Sequence, residues 1–287
     1  MKTSLIITVF NRNKLLRKSL IRMTKMTLPD ELVIVDDGSS DGVRDTCLEI
    51  KKLQPNLKIV YLYHNNPTWD SCSIPKNIGA QNASNEILIF AEPEVMFITD
   101  VIKQMKEIFN NRKDCIVTAG QIYFGKDNGP EMPEDCLDNP LKFIQDFGSN
   151  EWLVGTVDLH GGQPTYTFAK NLDATWVLGV LKESVLEING WDEDMSSSKG
   201  GGGWGFDDTD ALTRLRIKGY GQYKDPEMIV LHQFHIRPPQ WIMDSWPKNE
   251  NLMKAKNFNG NEYKDNPKLR ANDNRPFGIL NGTKEIL

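Results

Sequence analysis

Two stretches decide the fold class: SLIITVFNRNKLLRKSL at Ser4–Leu20 and ELVIVDDGSSDG at Glu31–Gly42. Each opens with consecutive apolar residues, many of them β-branched, instead of alternating apolar and polar ones. Such a run is typical of a strand that is buried on both faces of a sheet. Between the two runs, Leu16, Leu20 and Met23 recur at helical spacing. A strand, a helix and a second strand in this order predict a parallel βαβ unit with a right-handed crossover.

The alternation of strand and helix patterns continues as far as residue 125. Apolar runs recur in LKIVYLYH, EILIFAEPEV and CIVTAGQIYF, with the helical patterns IPKNIGAQNA and VIKQMKEIF between them. Asp100 stands where it caps the second of these helices. Order returns after residue 174 with TWVLGVLKESVLEING, a helix at Asp208–Lys218 and a strand in EMIVLHQFH. The sequence therefore predicts an α/β fold whose mostly parallel, Rossmann-like sheet is flanked by helices.

The chain is expected to form a single domain over residues 1–235. Its N-terminal half spans residues 1–125 and its C-terminal half spans 175–235. Between them, residues 126–174 contain four prolines and no clear helix or strand period, which predicts an irregular insertion too long for a simple connector. Residues 236–287 are rich in proline, asparagine and lysine, and we expect them to be an extension that wraps the surface or contacts a partner.

Composition excludes several classes of protein. Among 287 residues, 39% are hydrophobic and 25% are charged, as in a soluble globular protein. The formal net charge of -5 gives no basic footprint, so nucleic acid is an unlikely partner. No run approaches the roughly 18 apolar residues of a membrane span, and the first apolar run lacks the cleavage site of a signal peptide. The four cysteines form no CxxC pair, and reduced thiols in a cytoplasmic protein are expected.

Polar residues gather where the predicted strands end, which is where ligands bind to open parallel sheets. Strand one is followed by Arg12, strand two by Asp36 and Asp37, and strand four by Glu92 and Glu94. The chain contains neither GxGxxG after strand one nor GxxxxGK[ST], which argues against dinucleotide and P-loop binding. The strand-two acids suit either hydrogen bonds to a base and ribose or an Asx turn.

The sequence Glu92-Pro93-Glu94 brings two carboxylates to one site, because proline ends the strand and the acids flank it. Hard carboxylate oxygens suit Mg²⁺ or Mn²⁺. Spacing alone favours the simpler interpretation of two solvated loop acids.

The two opening stretches resemble the start of glycosyltransferase family 2, which has the GT-A fold. A second block, GWDEDM…GWGFDDTDALTRLRIKGY…MIVLHQFH, resembles the C-terminal block shared by galactosyltransferase-like and chondroitin-polymerase-like enzymes. The resemblance covers roughly Ser4–Gly120 and Thr175–His235. It implies a nucleotide-binding half at 1–125 and an acceptor or catalytic half at 175–235.

The resemblance also implies roles for single residues. Asp37 corresponds to the acid that contacts uracil. Glu92-Pro93-Glu94 corresponds to the DxD metal motif, from which it departs by its longer acidic side chains and the intervening proline. Glu94 and His232 would hold Mn²⁺, or Mg²⁺, whereas His235 is expected to be structural. The residues implied to bind the nucleotide-sugar are Thr8, Phe10, Arg12, Asp37, Lys76 and Glu92.

Catalysis is implied at the acid pair Asp207-Asp208. Asp208 would be the general base that accepts the proton of an acceptor hydroxyl, while Asp207 would hold the acceptor. The glycine tract before them predicts a mobile lid whose Trp204 stacks on a sugar ring of a glycan or other hydroxyl-bearing acceptor. Direct displacement with one base implies inversion at the anomeric carbon. The resemblance thus indicates a metal-dependent inverting transferase that uses a nucleotide-sugar, expected to be a UDP-sugar.

Two other functions remain open from the sequence. The substitution of Glu-Pro-Glu for DxD is compatible with a nucleotide-sugar-binding protein that has lost catalysis. A nucleotidyltransferase of similar sheet topology is the other alternative. It would normally have a glycine-rich, basic first loop, which VFNRNK does not supply.

Overall fold

The computed structural model describes residues 1–68, 70–123, 132–140, 157–160, 163–166, 176–235, 244–259, 262–273 and 275–287. Most of the insertion predicted at 126–174 lies outside these ranges, as do residues 236–243 of the extension. Within the described part of the chain, no helix combines the length and the apolar character that crossing a membrane requires.

Strands and helices alternate through the first half of the chain, as the sequence predicts. The strands are β1 (Thr3–Val9), β2 (Glu31–Asp36), β3 (Lys58–His64), β4 (Ile87–Ala91), β5 (Val95–Phe97), β6 (Cys115–Tyr123), β7 (Val157–His160), β8 (Gln163–Tyr166), β9 (Val177–Leu181), β10 (Gly221–His232), β11 (Phe258–Asn259), β12 (Glu262–Tyr263) and β13 (Gly282–Ile286). The helices are α1 (Asn13–Met23), α2 (Val43–Leu53), α3 (Ser73–Asn82), α4 (Val101–Asn111), α5 (Lys182–Glu187), α6 (Asp207–Ile217) and α7 (Trp246–Asn257). Short 3-10 helices occupy Glu134–Asp138, Glu193–Met195 and Ser197–Lys199.

Among the described residues, nine strands form one sheet in the order β13-β3-β2-β1-β4-β9-β6-β10-β5. The strands β3, β2, β1 and β4 are parallel, and so are β6 and β10. β9 runs antiparallel between β4 and β6, while β5 and β13 are antiparallel edge strands. The predicted α/β fold with a mostly parallel sheet is confirmed.

The central strand β1 is buried on both faces, as its continuous apolar sequence predicts. Leu5 and Ile7 pack with Leu16 and Leu20 of α1, whereas Ile6 belongs to a second cluster that includes residues of α3 and α6. Two hydrophobic layers therefore cover the sheet, and the helices on both faces are held against it.

Helix α3 packs closely against β1 at Gly79. A Cβ atom added to Gly79 would be 2.4 Å from Cγ2 of Ile6, so only glycine permits this approach. Lys76, one turn earlier on α3, thereby reaches the end of β4, where its Nζ lies 3.3 Å from Oε1 of Glu92. The packing of α3 thus places the buried ammonium of Lys76 at the carboxyl end of the central strand β4.

Several element bounds differ from the sequence prediction. Helix α6 begins at Asp207 instead of Asp208, so both acids lie in its first turn. Strand β10 ends at His232, and the residues up to His235 leave the sheet. The last residues of the extension form β13, which pairs with β3 although its mostly polar sequence, GTKEI, shows no strand pattern. Tertiary pairing decides these bounds, because it overrides weak local patterns.

Asp100 caps α4, as predicted, and provides a test of local stability. Its Oδ1 accepts a hydrogen bond from the backbone N–H of Lys103 at 3.3 Å, and its Oδ2 accepts one from the hydroxyl of Thr27 at 2.6 Å. We expect Asp100→Ala to lower the free energy of unfolding by about 1–2 kcal/mol, measured by urea denaturation. Asp100→Asn keeps an acceptor and is the control. Equal stability of Asp100→Ala and wild type would show that solvent replaces the cap.

Candidate active site

The acids that end β2 have different environments. Asp36 is a structural acid, because its carboxylate accepts hydrogen bonds from the Tyr61 hydroxyl at 2.6 Å and the Ser39 backbone N–H at 2.8 Å. Asp37 accepts one bond, from Nδ2 of Asn66 at 3.0 Å. Its Oδ1 is buried and has no hydrogen-bond partner among the described residues. This oxygen is available to an N–H or O–H group of a ligand.

Burial raises the pKa of Asp37 to about 7, since removing a carboxylate from water disfavours its charged form. The strand β1 lies alongside, because the backbone N–H of Asp37 donates to the carbonyl of Val9 at 2.8 Å. Thr8 is buried on this strand and Phe10 follows it half-buried. The residues implied for base binding therefore lie on two adjacent strand ends.

A second cluster forms around Glu94, which is only 3% exposed. Its Oε1 lies 2.5 Å from Nη1 of Arg12, 3.4 Å from Nε2 of His232 and 3.1 Å from Nε2 of His235. Ligand atoms of Glu94 and the two histidines all lie within 4.8 Å of one another. Oε2 of Glu94 is buried without a hydrogen-bond partner in the part of the chain that the structure describes.

The fold builds this cluster through the pairing of β5 with β10. His232 lies opposite Val95, and the backbone N–H of Gln233 donates to the carbonyl of Glu94 at 3.0 Å. His232 also packs against Trp176, with ring centroids 4.3 Å apart. The sequence predicts a structural role for His235, but the chain turns after His232 and brings the second imidazole to the same carboxylate.

The charge of the cluster fits a divalent cation. Burial by itself raises the pKa of Glu94, but Arg12 and hydrogen bonds from the histidines outweigh it and hold that pKa well below its usual range. The carboxylate is therefore ionised. One anionic oxygen with two imidazole nitrogens is a donor set that suits Mn²⁺ better than Mg²⁺. The structure places Arg12 against this carboxylate, at a distance where its guanidinium competes with a cation.

Lys76 links the Glu94 region to the start of α6. Its Nζ donates to Oδ1 and Oδ2 of Asp208 at 2.7 and 2.9 Å, besides its ion pair with Glu92. Burial alone lowers the pKa of Lys76, but the charge of Asp208 and its neighbours holds it well above the usual value. Asp208 also accepts a hydrogen bond from Nε1 of Trp191 at 2.8 Å. Glu92, Lys76 and Asp208 therefore form one connected group, and burial raises the pKa of Glu92.

Asp207 is the more buried acid of the pair. Its Oδ2 accepts a hydrogen bond from the Cys72 thiol at 2.7 Å. Burial, followed by the charge of Asp208, raises the pKa of Asp207. The thiol partner is a contact that no sequence pattern suggested, because Cys72 and Asp207 are 135 residues apart.

The glycine tract is closely packed, which differs from the mobile lid that the sequence suggests. A Cβ on Gly201 would lie 2.3 Å from the backbone of Met195, and one on Gly202 would lie 2.4 Å from the carbonyl oxygen of Ser245. Trp204 is half-buried in this segment. Close backbone approach therefore explains two of the glycines without any appeal to motion.

The same sheet occurs in glycosyltransferases of known structure. The mannosyltransferase PcManGT from Pyrobaculum calidifontis, in complex with GDP-Man and Mn²⁺, matches with a TM-score of 0.53 at 16% identity, over 81% of this chain and 56% of that one. S. aureus TarS matches with a TM-score of 0.56 at 14% identity, over 89% of this chain and 39% of that one. These likenesses define the fold as that of the GT-A glycosyltransferases.

Sequence comparison identifies the family. Residues 4–169, more than half of the chain, match the sequence model of glycosyl transferase family 2. The chain therefore belongs to glycosyl transferase family 2. Among its relatives is the validoxylamine A glucosyltransferase of Streptomyces hygroscopicus subsp. limoneus, 25% identical over 75% of this chain and 48% of the relative. The minor teichoic acid biosynthesis protein GgaA of Bacillus subtilis (strain 168) is 24% identical over 53% of this chain and 35% of its own length. The chain thus spans half or less of the length of these relatives.

Because burial disfavours the ionised carboxylate of Asp37, replacing this residue with asparagine is expected to change how the stability of the protein depends on pH. The pKa of about 7 that Asp37 has in the folded state exceeds the ordinary 3.8, so the unfolded chain loses this proton first and stability falls as pH rises between these values. Asp37→Asn removes this effect. We expect its stability advantage over wild type, measured by urea denaturation, to grow by on the order of 2 kcal/mol from pH 5 to pH 8.

Asp36→Asn is the matched control, because Asp36 has two hydrogen-bond donors to its carboxylate. Parallel pH profiles for wild type and Asp37→Asn would contradict the prediction.

Proposed function

We propose that this chain is a metal-dependent inverting glycosyltransferase, which moves a sugar from a nucleotide-sugar to an acceptor hydroxyl. The observation that carries the proposal is the connection of two groups that are distant in sequence. Lys76 ion-pairs with Asp208 of the acid pair and with Glu92, which lies two residues before Glu94 in the sequence. A cation would stabilise the charge of the departing nucleotide diphosphate, and a carboxylate would accept the proton of the acceptor hydroxyl.

The donor would bind at the ends of β1 and β2. The unpartnered oxygen of Asp37 accepts a hydrogen bond from a base N–H, which uracil offers, and Thr8 and Phe10 line the base. We therefore propose a UDP-sugar. The complex of PcManGT holds GDP-Man, so guanine nucleotides belong in the same test. A thermal-shift screen of UDP-, GDP- and TDP-sugars with Mn²⁺ distinguishes them.

Glu94 and His232 would hold the metal ion, with His235 as a third ligand. The ion would stabilise the negative charge that develops on the departing nucleotide diphosphate. PcManGT has Mn²⁺ with its nucleotide-sugar, which supports the same ion here. The ionised state of Glu94 and its unpartnered Oε2 support a cation at this position.

Asp208 would be the general base. Lys76 and Trp191 fix its carboxylate from two sides, and a carboxylate has further lone pairs for the proton of an acceptor hydroxyl. Asp207 would hold the acceptor, and Trp204 would stack on its sugar ring. A single base with direct displacement inverts the configuration at the anomeric carbon.

One observation favours a second candidate, a nucleotide-sugar-binding protein without catalysis. The ammonium of Lys76 contacts both oxygens of Asp208, and this contact opposes proton transfer to that carboxylate. Turnover separates the two candidates. The protein is incubated with a UDP-sugar and Mn²⁺. If it binds UDP but neither releases nor transfers the sugar, it is a binding protein.

The role of Asp208 is tested by Asp208→Asn, which keeps the size of the side chain and removes the base. We expect transfer to fall by at least about a hundredfold, the usual contribution of a general base, while UDP binding stays unchanged. Asp45→Asn, at an exposed position of α2, is the control for loss of one negative charge. Near-normal transfer by Asp208→Asn would remove Asp208 from the mechanism.

The metal site is tested by calorimetric titration with Mn²⁺ in the absence of nucleotide. We expect His232→Ala and His235→Ala each to weaken Mn²⁺ binding by at least about tenfold, as loss of a ligand or its support does. His64→Ala, on β3, is the matched control. Arg12→Gln is expected to tighten binding, because the guanidinium competes for Oε1 of Glu94. If all variants bind Mn²⁺ with the same affinity as wild type, neither histidine is a metal ligand.

A further inference from the structure

Helix α7, in the C-terminal extension, contacts the segment that leads into the acid pair. Its residue Asn249 is fully buried. Oδ1 of Asn249 accepts a hydrogen bond from the backbone N–H of Gly202 at 2.7 Å. Nδ2 donates to the backbone carbonyls of Trp204 at 3.3 Å and Gly205 at 2.9 Å. One side-chain amide therefore binds three backbone groups within four consecutive residues, a use that requires both a donor and an acceptor.

The start of α7 adds two further contacts to the same segment. The Ser245 hydroxyl donates to the carbonyl of Gly202 at 2.5 Å. Phe206 stacks on Trp246 with ring centroids 5.6 Å apart and an interplanar angle of 19°. The glycines permit this contact, since a Cβ on Gly205 would lie 3.3 Å from Cβ of Trp246. The segment 202–206 and α7 thus fit each other closely.

The backbone of this segment is strained at Phe206, whose φ is 64°. A bulky residue in the left-handed region costs about 1–3 kcal/mol and persists only where the surroundings hold it. Phe206 directly precedes Asp207, the first residue of α6. Its conformation therefore sets the direction in which α6 begins, and with it the positions of Asp207 and Asp208.

The other end of α7 braces α6 directly. Nδ2 of Asn257 donates to Oδ1 of Asp210 at 3.1 Å. Lys256 pairs with Asp192 and Asp194, in the segment before the glycine tract. Helix α7 therefore contacts the chain both before and after the acid pair, at residues 202–206 and at Asp210.

We propose that Asn249 is a positioning residue for sugar transfer. It holds residues 202–206 in the conformation that places Trp204 and the acid pair around the acceptor. The inference rests on the proposed function. It also assigns part of the extension to the acceptor site, which the sequence places within residues 1–235.

The test compares Asn249→Asp with Asn251→Asp, an exposed position on the same helix. Asn249→Asp keeps the acceptor for Gly202 but loses both donors and sets a carboxylate against two carbonyl oxygens. We expect amide hydrogen exchange of peptides covering 200–206 to accelerate by at least about tenfold, while peptides of β1 and β2 stay unchanged. Asn251→Asp is expected to match wild type.

The second measurement is the rate of sugar transfer from UDP-glucose in the presence of Mn²⁺. The acceptor is a mono- or oligosaccharide that a screen with wild type identifies. We expect the kcat/KM for acceptor to fall by about ten- to a hundredfold in Asn249→Asp, with the Kd for UDP and the rate of donor hydrolysis near wild type. A purely structural role would lower UDP binding and thermal stability together. Ser245→Ala, which removes one bond, is the milder variant if Asn249→Asp does not fold, and the same direction is expected.

The possible failures are distinguishable. Faster exchange in 200–206 with unchanged transfer overturns the positioning role and leaves the proposed function intact. Unchanged amide hydrogen exchange of residues 200–206 in Asn249→Asp would show that Asn249 does not hold this segment, which overturns the positioning role. A wild-type protein that transfers sugar to no acceptor overturns the proposed function and the positioning role together, whatever the exchange shows.

Discussion

The site depends on one buried ammonium, Nζ of Lys76, which ion-pairs with Glu92 and Asp208. Lys76 and Asp208 are 132 residues apart, so this contact joins the N-terminal and C-terminal halves. A buried charge is tolerated only when it is paired, and removing one partner of such a pair costs about 3–5 kcal/mol. Lys76 reaches this position because α3 packs against β1 at Gly79, where a side chain would collide. The arrangement of the acids therefore follows from the packing of one helix on one strand.

Several carboxylates are buried close to Lys76, and burying them costs free energy. Burial raises the pKa of Glu92 and of Asp207, which means that their charged forms are disfavoured where they lie. The ammonium of Lys76 offsets part of this cost, because its positive charge lowers the pKa of both acids. Structural acids such as Asp36 have their hydrogen bonds satisfied within the chain. Carboxylates that are buried but incompletely paired are instead typical of sites that bind cations or move protons.

The sequence predicts the first half of the fold well because its strands are continuous apolar runs that are buried on both faces. The family resemblance also singles out Glu94 and His232, whose side chains lie 3.4 Å apart, and their role as metal ligands stays a prediction. The sequence does not predict β13, whose pairing with β3 is a tertiary choice of a polar segment. Nor does it predict that His235 reaches Glu94, because that depends on how the chain turns after β10. The glycine tract shows the limit most clearly: its composition suggests mobility, whereas the neighbouring backbone that requires Gly201 and Gly202 is visible only in three dimensions.

The match to glycosyl transferase family 2 ends at residue 169, and this boundary divides the site. The strand ends with Asp37 and Glu94 lie within it, whereas Asp208, His232 and Asn249 lie beyond it. The segment around Trp204 is held by α7, which lies further still along the chain. Residues that bind a nucleotide-sugar serve any acceptor, but residues that orient the acceptor must match its shape. On the proposed function, this chain is therefore expected to differ most from its relatives at residues 202–206, at the acid pair and at helix α7.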